Sequence, residues 1–410
     1  MNLSERLKAL GVRRGMPEEP PEPKRRADCR PIEAVVEGEV RATLYGETFV
    51  RRQTHPAAER YGSAPLAFRP PPDLLAAWVN APSLGERAPE DYLFFDTETT
   101  GLGGGGTYAF LIGAGRFRGE VFEVAQFFLR QPGEEAAQLA ALSEFAGDCG
   151  VWVSFNGRAF DGPLLGARCT LNGVSNPLEG SLHLDLLHLA RRLWRERLPS
   201  RTLLSLESQI LGVTRTQEDV PGWVIPQLYL DYLRTGDARL LKSVFYHNHR
   251  DVLAMAALLN HLGDLLAAPL ERLETPALDL AGIGSVYEKV GRGAEAAAVY
   301  AAALEADLPA ETRGRIRRRL SFLLKRAGEW DAALEWWREA AAEGEFYAFE
   351  ELAKYYEHRA RQGPEALRWT QTALERLAAS PQASRLQWES AFRHRLARLE
   401  RKGGTMDDRP

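Results

Sequence analysis

The alternation of apolar and polar positions changes character several times along the chain, and each change predicts a different kind of element. In MNLSERLKAL, Leu3, Leu7 and Leu10 recur at helical spacing up to Gly11, so a short N-terminal helix is expected. PEEPPEPKRRADCRP (17–31) is too rich in proline to hold a helix or a central strand and reads as a charged linker. Residues 32–90 mix short β-like pieces with polar runs and suggest no role. From residue 91 the pattern sharpens. YLFF (92–95) reads as a buried strand, YAFLIGAGRF (108–117) and VFEVAQFFLR (121–130) as a hairpin joined through Arg118-Gly119, and EEAAQLAALSEFA (134–146) as a helix. The strand VWVSF (151–155), a helix from about Asp161 and a largely helical stretch complete an expected α/β domain over 91–266.

Beyond Leu266 the pattern becomes alanine-rich helix pairs. Gly284, Tyr287, Gly291, Ala296, Tyr300 and Ala303 stand close to tetratricopeptide spacing, in which small residues let two helices approach and an aromatic ring fills between them. A second copy runs through Leu320, Leu324, Gly328, Ala333, Trp337 and Ala340, and a less regular third through Leu352, Ala353, Tyr356, Ala366 and Ala373. RLQWESAFRHRLARLERK (385–402) is expected to cap the array. An all-α, tetratricopeptide-like domain is therefore expected over 270–402, followed by a tail at 403–410.

Composition narrows the class of partner. The chain is 45% hydrophobic and 26% charged, as globular proteins are, and its formal net charge of −4 excludes a general basic coat, so any polyanion site must be local. Cys29, Cys149 and Cys169 form no C-x-x-C pair, which fits a reducing cytoplasm better than a disulfide framework or a zinc site. No apolar run approaches the roughly 18 residues of a membrane span, and the N-terminus lacks a signal peptide's apolar core, so no membrane partner is expected.

Candidate chemistry begins in FFDTETTGLGGGG (94–106). Side chains alternate along a strand, so Asp96 and Glu98 share a face roughly 6 to 7 Å apart, and two such charges repel unless a cation lies between them. Oxygen ligands without a His or Cys cluster favour Mg²⁺ or Mn²⁺. Gly101, Gly103 and Gly106 satisfy a dinucleotide-binding spacing, but the run continues as strand where that motif must open a helix. Glycine here instead allows the backbone to approach a bound group closely. Two further acids belong with the pair. Asp161 follows a strand end, where a helix N-cap is the alternative reading, and Asp251 borders the apolar stripe Val252, Met255, Leu259 and Leu262, where an unpaired acid is costly.

Together, Asp96-x-Glu98, Asn156 with Phe160-Asp161, and His247-x-x-x-Asp251 resemble the three motifs of the DEDD (DnaQ-like) exonucleases of the ribonuclease H-like fold. TETTGLGGG, SFNGRAFD, HLDLLHLARRLW, LLSLESQILGV, EDVPG and HNHRDVLAM are similar to the YprB-like branch, over about residues 91–262. The resemblance implies a ribonuclease H-like mixed sheet with flanking helices. It also implies that Asp96, Glu98, Asp161 and Asp251 hold two divalent ions, Mg²⁺ or Mn²⁺, for 3′→5′ hydrolysis of single-stranded nucleic acid, DNA ahead of RNA. Thr97, Thr100, Gly101, Leu102, Asn156 and Phe160 are the expected substrate contacts, and Asp185 is expected to support the site from behind the ligands. The competing readings are a nucleic-acid-binding module with a degenerate site, against which retention of all four acids speaks, and a repeat-protein adaptor.

The general base departs from the group's pattern. Members carry Tyr four residues before the last Asp or His five before it, whereas here His247 is four before Asp251 and Tyr246 five before. A four-residue step keeps His247 on the face of Asp251, so His247 is the expected base. His183, Asp185 and His188 look like a ligand cluster but equally fit a strand passing into a helix. Arg191, Arg192, Arg195, Arg197 and Arg201 either contact phosphates or form a solvated helix face, and the same choice applies to RGRIRRR (313–319). The helical repeats are a candidate surface for a protein partner.

Overall fold

The computed structural model describes residues 29–67, 73–82, 84, 87–101, 106–272 and 275–404. The expected N-terminal helix, most of the proline-rich linker, Leu102 and the end of the tail lie outside the described residues. The chain divides into two compact units: the described parts of Met1–Pro70, Glu86–Leu186 and Leu203–His261 form one, and those of Pro71–Gly85, Leu187–Thr202 and Leu262–Pro410 the other.

The first unit is built on a seven-stranded mixed sheet. Its strands are β1 (Glu39–Thr43), β2 (Gly46–Pro56), β3 (Tyr92–Thr99), β4 (Ala109–Arg118), β5 (Val121–Phe128), β6 (Val151–Ser154) and β7 (Leu182–Asp185), in the spatial order β1-β2-β5-β4-β3-β6-β7. β1 to β5 pair antiparallel, while β3/β6 and β6/β7 are parallel. Tyr92, Leu93, Phe94 and Phe95 are all buried because β3 is central and covered on both faces. On one face Leu93, Phe95, Ile112 and Phe127 pack with Leu139, Leu142 and Phe145 of the Glu135–Ala146 helix and Leu165 of the Asp161–Asn172 helix. On the other, Phe49, Phe110 and Phe128 meet Tyr229, Val244 and Phe245 from the Ile225–Thr235 and Leu241–Ala267 helices. The β4–β5 hairpin closes through Gly119-Glu120, where Gly119 takes φ +56°.

A domain boundary at residue 91 would cut this sheet. β2 pairs along β5 from Phe49↔Phe128 to Pro56↔Val121, so residues expected to be a separate segment supply two of the strands. The sequence hid this because beyond Val50 the β2 residues alternate between half-buried and exposed, with no continuous apolar run, and their partner strand lies far along the chain.

The second unit is all helical from Ala277 on. Helices Ala277–Lys289 and Gly293–Leu304, Ala310–Ala327 and Trp330–Ala342, and Phe346–Lys354 and Gly363–Ala378 form successive pairs, closed by Gln382–Gly404. A Cβ on Gly284 would stand 2.4 Å from the Tyr300 ring, so glycine sets the spacing of the first pair. The third pair is irregular because Tyr355–Arg359 makes a π-helical turn. The described residues of 71–85, and residues 187–202, also group with this unit, outside the expected limit of 270–402. No described helix is long and apolar enough to cross a membrane.

Candidate active site

The polar end of β3 leaves the apolar core as Asp96-Thr97-Glu98, with a register shift between Glu98 and Thr99. The pleat puts Asp96 and Glu98 on one face and Thr97 on the other, where its hydroxyl donates to the Asp161 carboxylate. Asp161 is the first residue of its helix and Phe160 the N-cap, so the capping alternative for Asp161 does not apply. The turn leading to it is held by Asp185, whose two carboxylate oxygens accept the N–H groups of Asn156 (2.9 Å) and Arg158 (3.2 Å). Asn156 takes a left-handed φ of +73°, a conformation that asparagine tolerates better than most residues.

The long Leu241–Ala267 helix brings His247 and Asp251 to the same place. His247 Nε2 lies 3.4 Å from Asp251 Oδ2 and 4.0 Å from Glu98 Oε1, while Nδ1 lies 2.7 Å from Asp219 Oδ1. A ring proton on Nδ1, donated to the Asp219 carboxylate, would leave the Nε2 lone pair facing the acids. Tyr246 turns elsewhere, its hydroxyl accepting the Thr216 N–H at 3.3 Å. His249 also leaves the site and meets His55, Nε2 to Nε2 at 3.0 Å.

Three residues that the sequence reading assigned no role complete the constellation. Asn248 donates to Asp96 Oδ2 at 2.9 Å and accepts from Gln126 at 2.9 Å, in space that exists because Gly113, opposite Asp96 on β4, has no Cβ: one would lie 2.4 Å from the Asn248 amide. Asp219 lies in the EDVPG stretch, which formed part of the family resemblance but offered no hint of pairing with a histidine. The Arg215 side chain is buried, bonds Glu207 at 2.7 Å through Nε, and donates to Asp251 through Nη2. Burial works against its charge, but Asp251 and Glu207 outweigh it and hold the guanidinium above its ordinary value.

The remaining expected residues divide. Thr100 accepts the Tyr108 N–H at 3.0 Å, and the Gly101 carbonyl accepts the Thr99 hydroxyl at 2.8 Å, so both shape the start of the glycine loop. Leu102 lies outside the described residues. His183 stacks on Trp152, ring centroids 3.4 Å apart, and bonds Ser154 at 2.8 Å, which places it in the packing between β6 and β7. His188 belongs to the second unit.

Crowded acids dominate the electrostatics. Burial, then Asp251 and Asp161, hold Asp96 well above the ordinary aspartate value against the hydrogen bond from Asn248. Glu98 is raised in the same way by burial, then by Asp96, Asp251 and Asp161. Burial pushes Asp161 up to about 6, opposed by the Thr97 hydrogen bond. A divalent cation would relieve each of these costs, and the acids fit one: carboxylate oxygens of Glu98 and Asp251 lie within 4.8 Å of each other with the His247 ring beside them, and the Arg215 guanidinium already rests on Asp251 as a stand-in positive charge.

Comparison with known proteins places this arrangement in a family. Residues 93–263 match the model of the RNase_H superfamily. Over 370 residues the chain is 32% identical to YprB of Bacillus subtilis, described as an uncharacterized protein, with 86% of each chain covered. The chain belongs to the YprB family. The seven-stranded sheet is therefore an RNase H-like sheet with flanking helices, to which the YprB family member described here joins an all-helical region. Among solved structures, the family B DNA polymerase of the hyperthermophilic archaeon Pyrobaculum calidifontis aligns with 52% of this chain and 29% of its own, at 17% identity and a TM-score of 0.34, a likeness too low to carry an argument.

Proposed function

We propose that the protein is a divalent-metal-dependent 3′→5′ exonuclease acting on single-stranded nucleic acid, with DNA ahead of RNA. The observation that carries the reading is the gathering of four mutually repelling carboxylates beside a histidine whose outer nitrogen is tied to Asp219. RNase H-superfamily membership supports a nucleic-acid hydrolase, and the direction comes from the resemblance of the three motifs to the DEDD group. Asp96, Glu98, Asp161 and Asp251 would hold Mg²⁺ or Mn²⁺, and such ions, when bound, offset the charge that builds on phosphodiester oxygens and make water more acidic.

The residues' own tasks follow from their contacts. His247 Nε2 takes a proton from the attacking water, and Asp219 steadies the resulting imidazolium through Nδ1–H. Asn248 fixes one oxygen of Asp96. Thr97 orients Asp161, and Asp185 holds the Asn156–Arg158 turn behind it. Arg215 must leave or share Asp251 when a cation binds there, and without a metal its charge offsets part of the acids' repulsion. Thr100, Gly101, Leu102, Asn156 and Phe160 are the proposed substrate contacts. The helix pairs, whose spacing is tetratricopeptide-like, present a surface suited to a protein partner.

The test is hydrolysis of single-stranded DNA and RNA oligonucleotides labelled at either end, with Mg²⁺, Mn²⁺ or EDTA. A 5′-labelled strand should shorten stepwise only with metal, and Asp96→Ala should abolish the reaction. No metal-dependent cleavage of either polymer by well-folded protein would refute the proposal, and release of the 5′ label first would refute its direction.

A further inference from the structure

A second polar cavity, of about 370 Å³, lies wholly within the helical unit. Arg191, Arg192 and Arg195 line one side together with His188, and Arg315 and Arg319 face them from the Ala310–Ala327 helix. The floor is made of small residues, Ala281, Gly282 and Ser285. Gly282 is required there: a Cβ would lie 2.0 Å from the Leu193 carbonyl oxygen, so only glycine lets the Ala277–Lys289 helix approach the arginine-bearing segment this closely.

Three of the guanidiniums are already positioned. Arg192 donates to the Ser285 hydroxyl at 3.0 Å and lies against the Trp78 ring. Arg315 pairs with Glu196 at 2.9 Å and Arg319 with Glu288 at 3.1 Å. Both carboxylates are engaged by the Ala310–Ala327 helix, which leaves Arg191 and Arg195 without a close one. Arg191 is exposed and has no ion-pair partner among the described residues, and Arg195, also exposed, comes no nearer to a carboxylate than 3.9 Å. Arg191 lies in the last turn of the Leu186–Leu193 helix and Arg195 in the turn just beyond it. A solvated surface explains those two alone. It does not explain a concave wall of guanidiniums converging from two separate elements in a chain of net charge −4.

We infer that this cavity is a phosphate-binding site that holds the backbone of a nucleic-acid strand, with Arg192, Arg315 and Arg319 already held in place along its walls and Arg191 and Arg195 exposed beside them. Guanidinium groups pair bidentately with phosphate oxygens, and the exposed arginines extend the site beyond one phosphate. The choice of a strand over a small phosphate rests on the proposed nuclease reading. No base edge need be read, so binding should be indifferent to sequence and steep in salt.

The test is fluorescence anisotropy of the full-length protein with a labelled single-stranded oligonucleotide, in EDTA so that no strand is cut, over a range of salt concentrations. Each lost phosphate contact flattens the plot of log affinity against log salt by about 0.7, so Arg191→Gln/Arg195→Gln should reduce the slope by about 1.4 and weaken binding at low salt. Arg191→Lys/Arg195→Lys keeps the charge and should retain most of the slope, which separates a lost contact from a lost fold. An unchanged slope in the glutamine variant overturns the inference, whether or not the protein cleaves nucleic acid. Displacement of a small phosphate probe, inorganic pyrophosphate, by no oligonucleotide would also overturn it, by making the site one for free phosphates. Cleavage assayed separately with Mg²⁺ reports on the nuclease reading, so the two can fail independently.

Discussion

Asp161→Asn should make the metal-free protein more stable at neutral pH while removing the stability it gains from metal. The Asp161 carboxyl is buried and titrates at about 6 instead of the ordinary 3.8, because burial penalises its charge more than the Thr97 hydrogen bond favours it. A difference of about two pH units, at roughly 1.4 kcal/mol each, makes the ionised group cost up to ~3 kcal/mol in the folded state. The folded value is the raised one, so the folded protein holds this proton more tightly than the unfolded chain. The stability this group contributes is therefore fully present below about pH 4, is lost as pH rises through about 6, and stays lost above. Asparagine stays neutral and still accepts the Thr97 hydroxyl, so the variant should lack this part of the decline. In a unit of this size ~3 kcal/mol corresponds to roughly 6 to 12 °C in Tm. Calorimetry in EDTA should find the variant ahead at about pH 8 and level with the parent near pH 4. Saturating Mg²⁺ or Mn²⁺, at about a hundred times Kd, should add ~2.7 kcal/mol to the parent and much less to the variant. A variant that is less stable than the parent at about pH 8 in EDTA, or equally stabilised by metal, would refute the view that crowded acids await a cation.

The remaining predictions concern the base, its support and the packing behind it. His247→Ala should lower turnover by roughly 10²- to 10⁴-fold while calorimetric metal binding persists; loss of metal binding would make His247 a ligand instead. Tyr246→Phe should be nearly neutral, because its hydroxyl is engaged with the Thr216 amide away from the acids, and a crippled Tyr246→Phe would reverse the assignment. Asp219→Asn should cost about 10- to 100-fold in kcat with little change in KM, since it only orients His247 Nδ1–H; an effect confined to KM would argue against that role. Gly113→Ala should push Asn248 off Asp96 and cost about 1–3 kcal/mol in stability as well as activity, read by urea unfolding and turnover together.

Much of this protein is determined locally by its sequence. YLFF predicts a strand buried on both faces because its apolar residues are unbroken, and the repeated small-and-aromatic spacing through Gly284, Tyr300 and Trp337 predicts helix pairs because both residues of each contact lie within one short stretch. Asp96 and Glu98 share a face by the pleat alone, and His247 and Asp251 by the turn of one helix. What joined these pieces depended on distance along the chain. β2 reaches the sheet through β5, some seventy residues later, and its alternating pattern suits any half-covered strand, so only the tertiary structure could choose its partner. Asp219 becomes the partner of His247, Arg215 the cation on Asp251, and Asn248 the link between Asp96 and Gln126 because separate elements converge. A side chain's neighbours across such gaps leave no periodic trace in sequence. The same reason accounts for the described residues of 71–85, and residues 187–202, joining the helical unit, and for an arginine-lined cavity whose two walls lie more than a hundred residues apart.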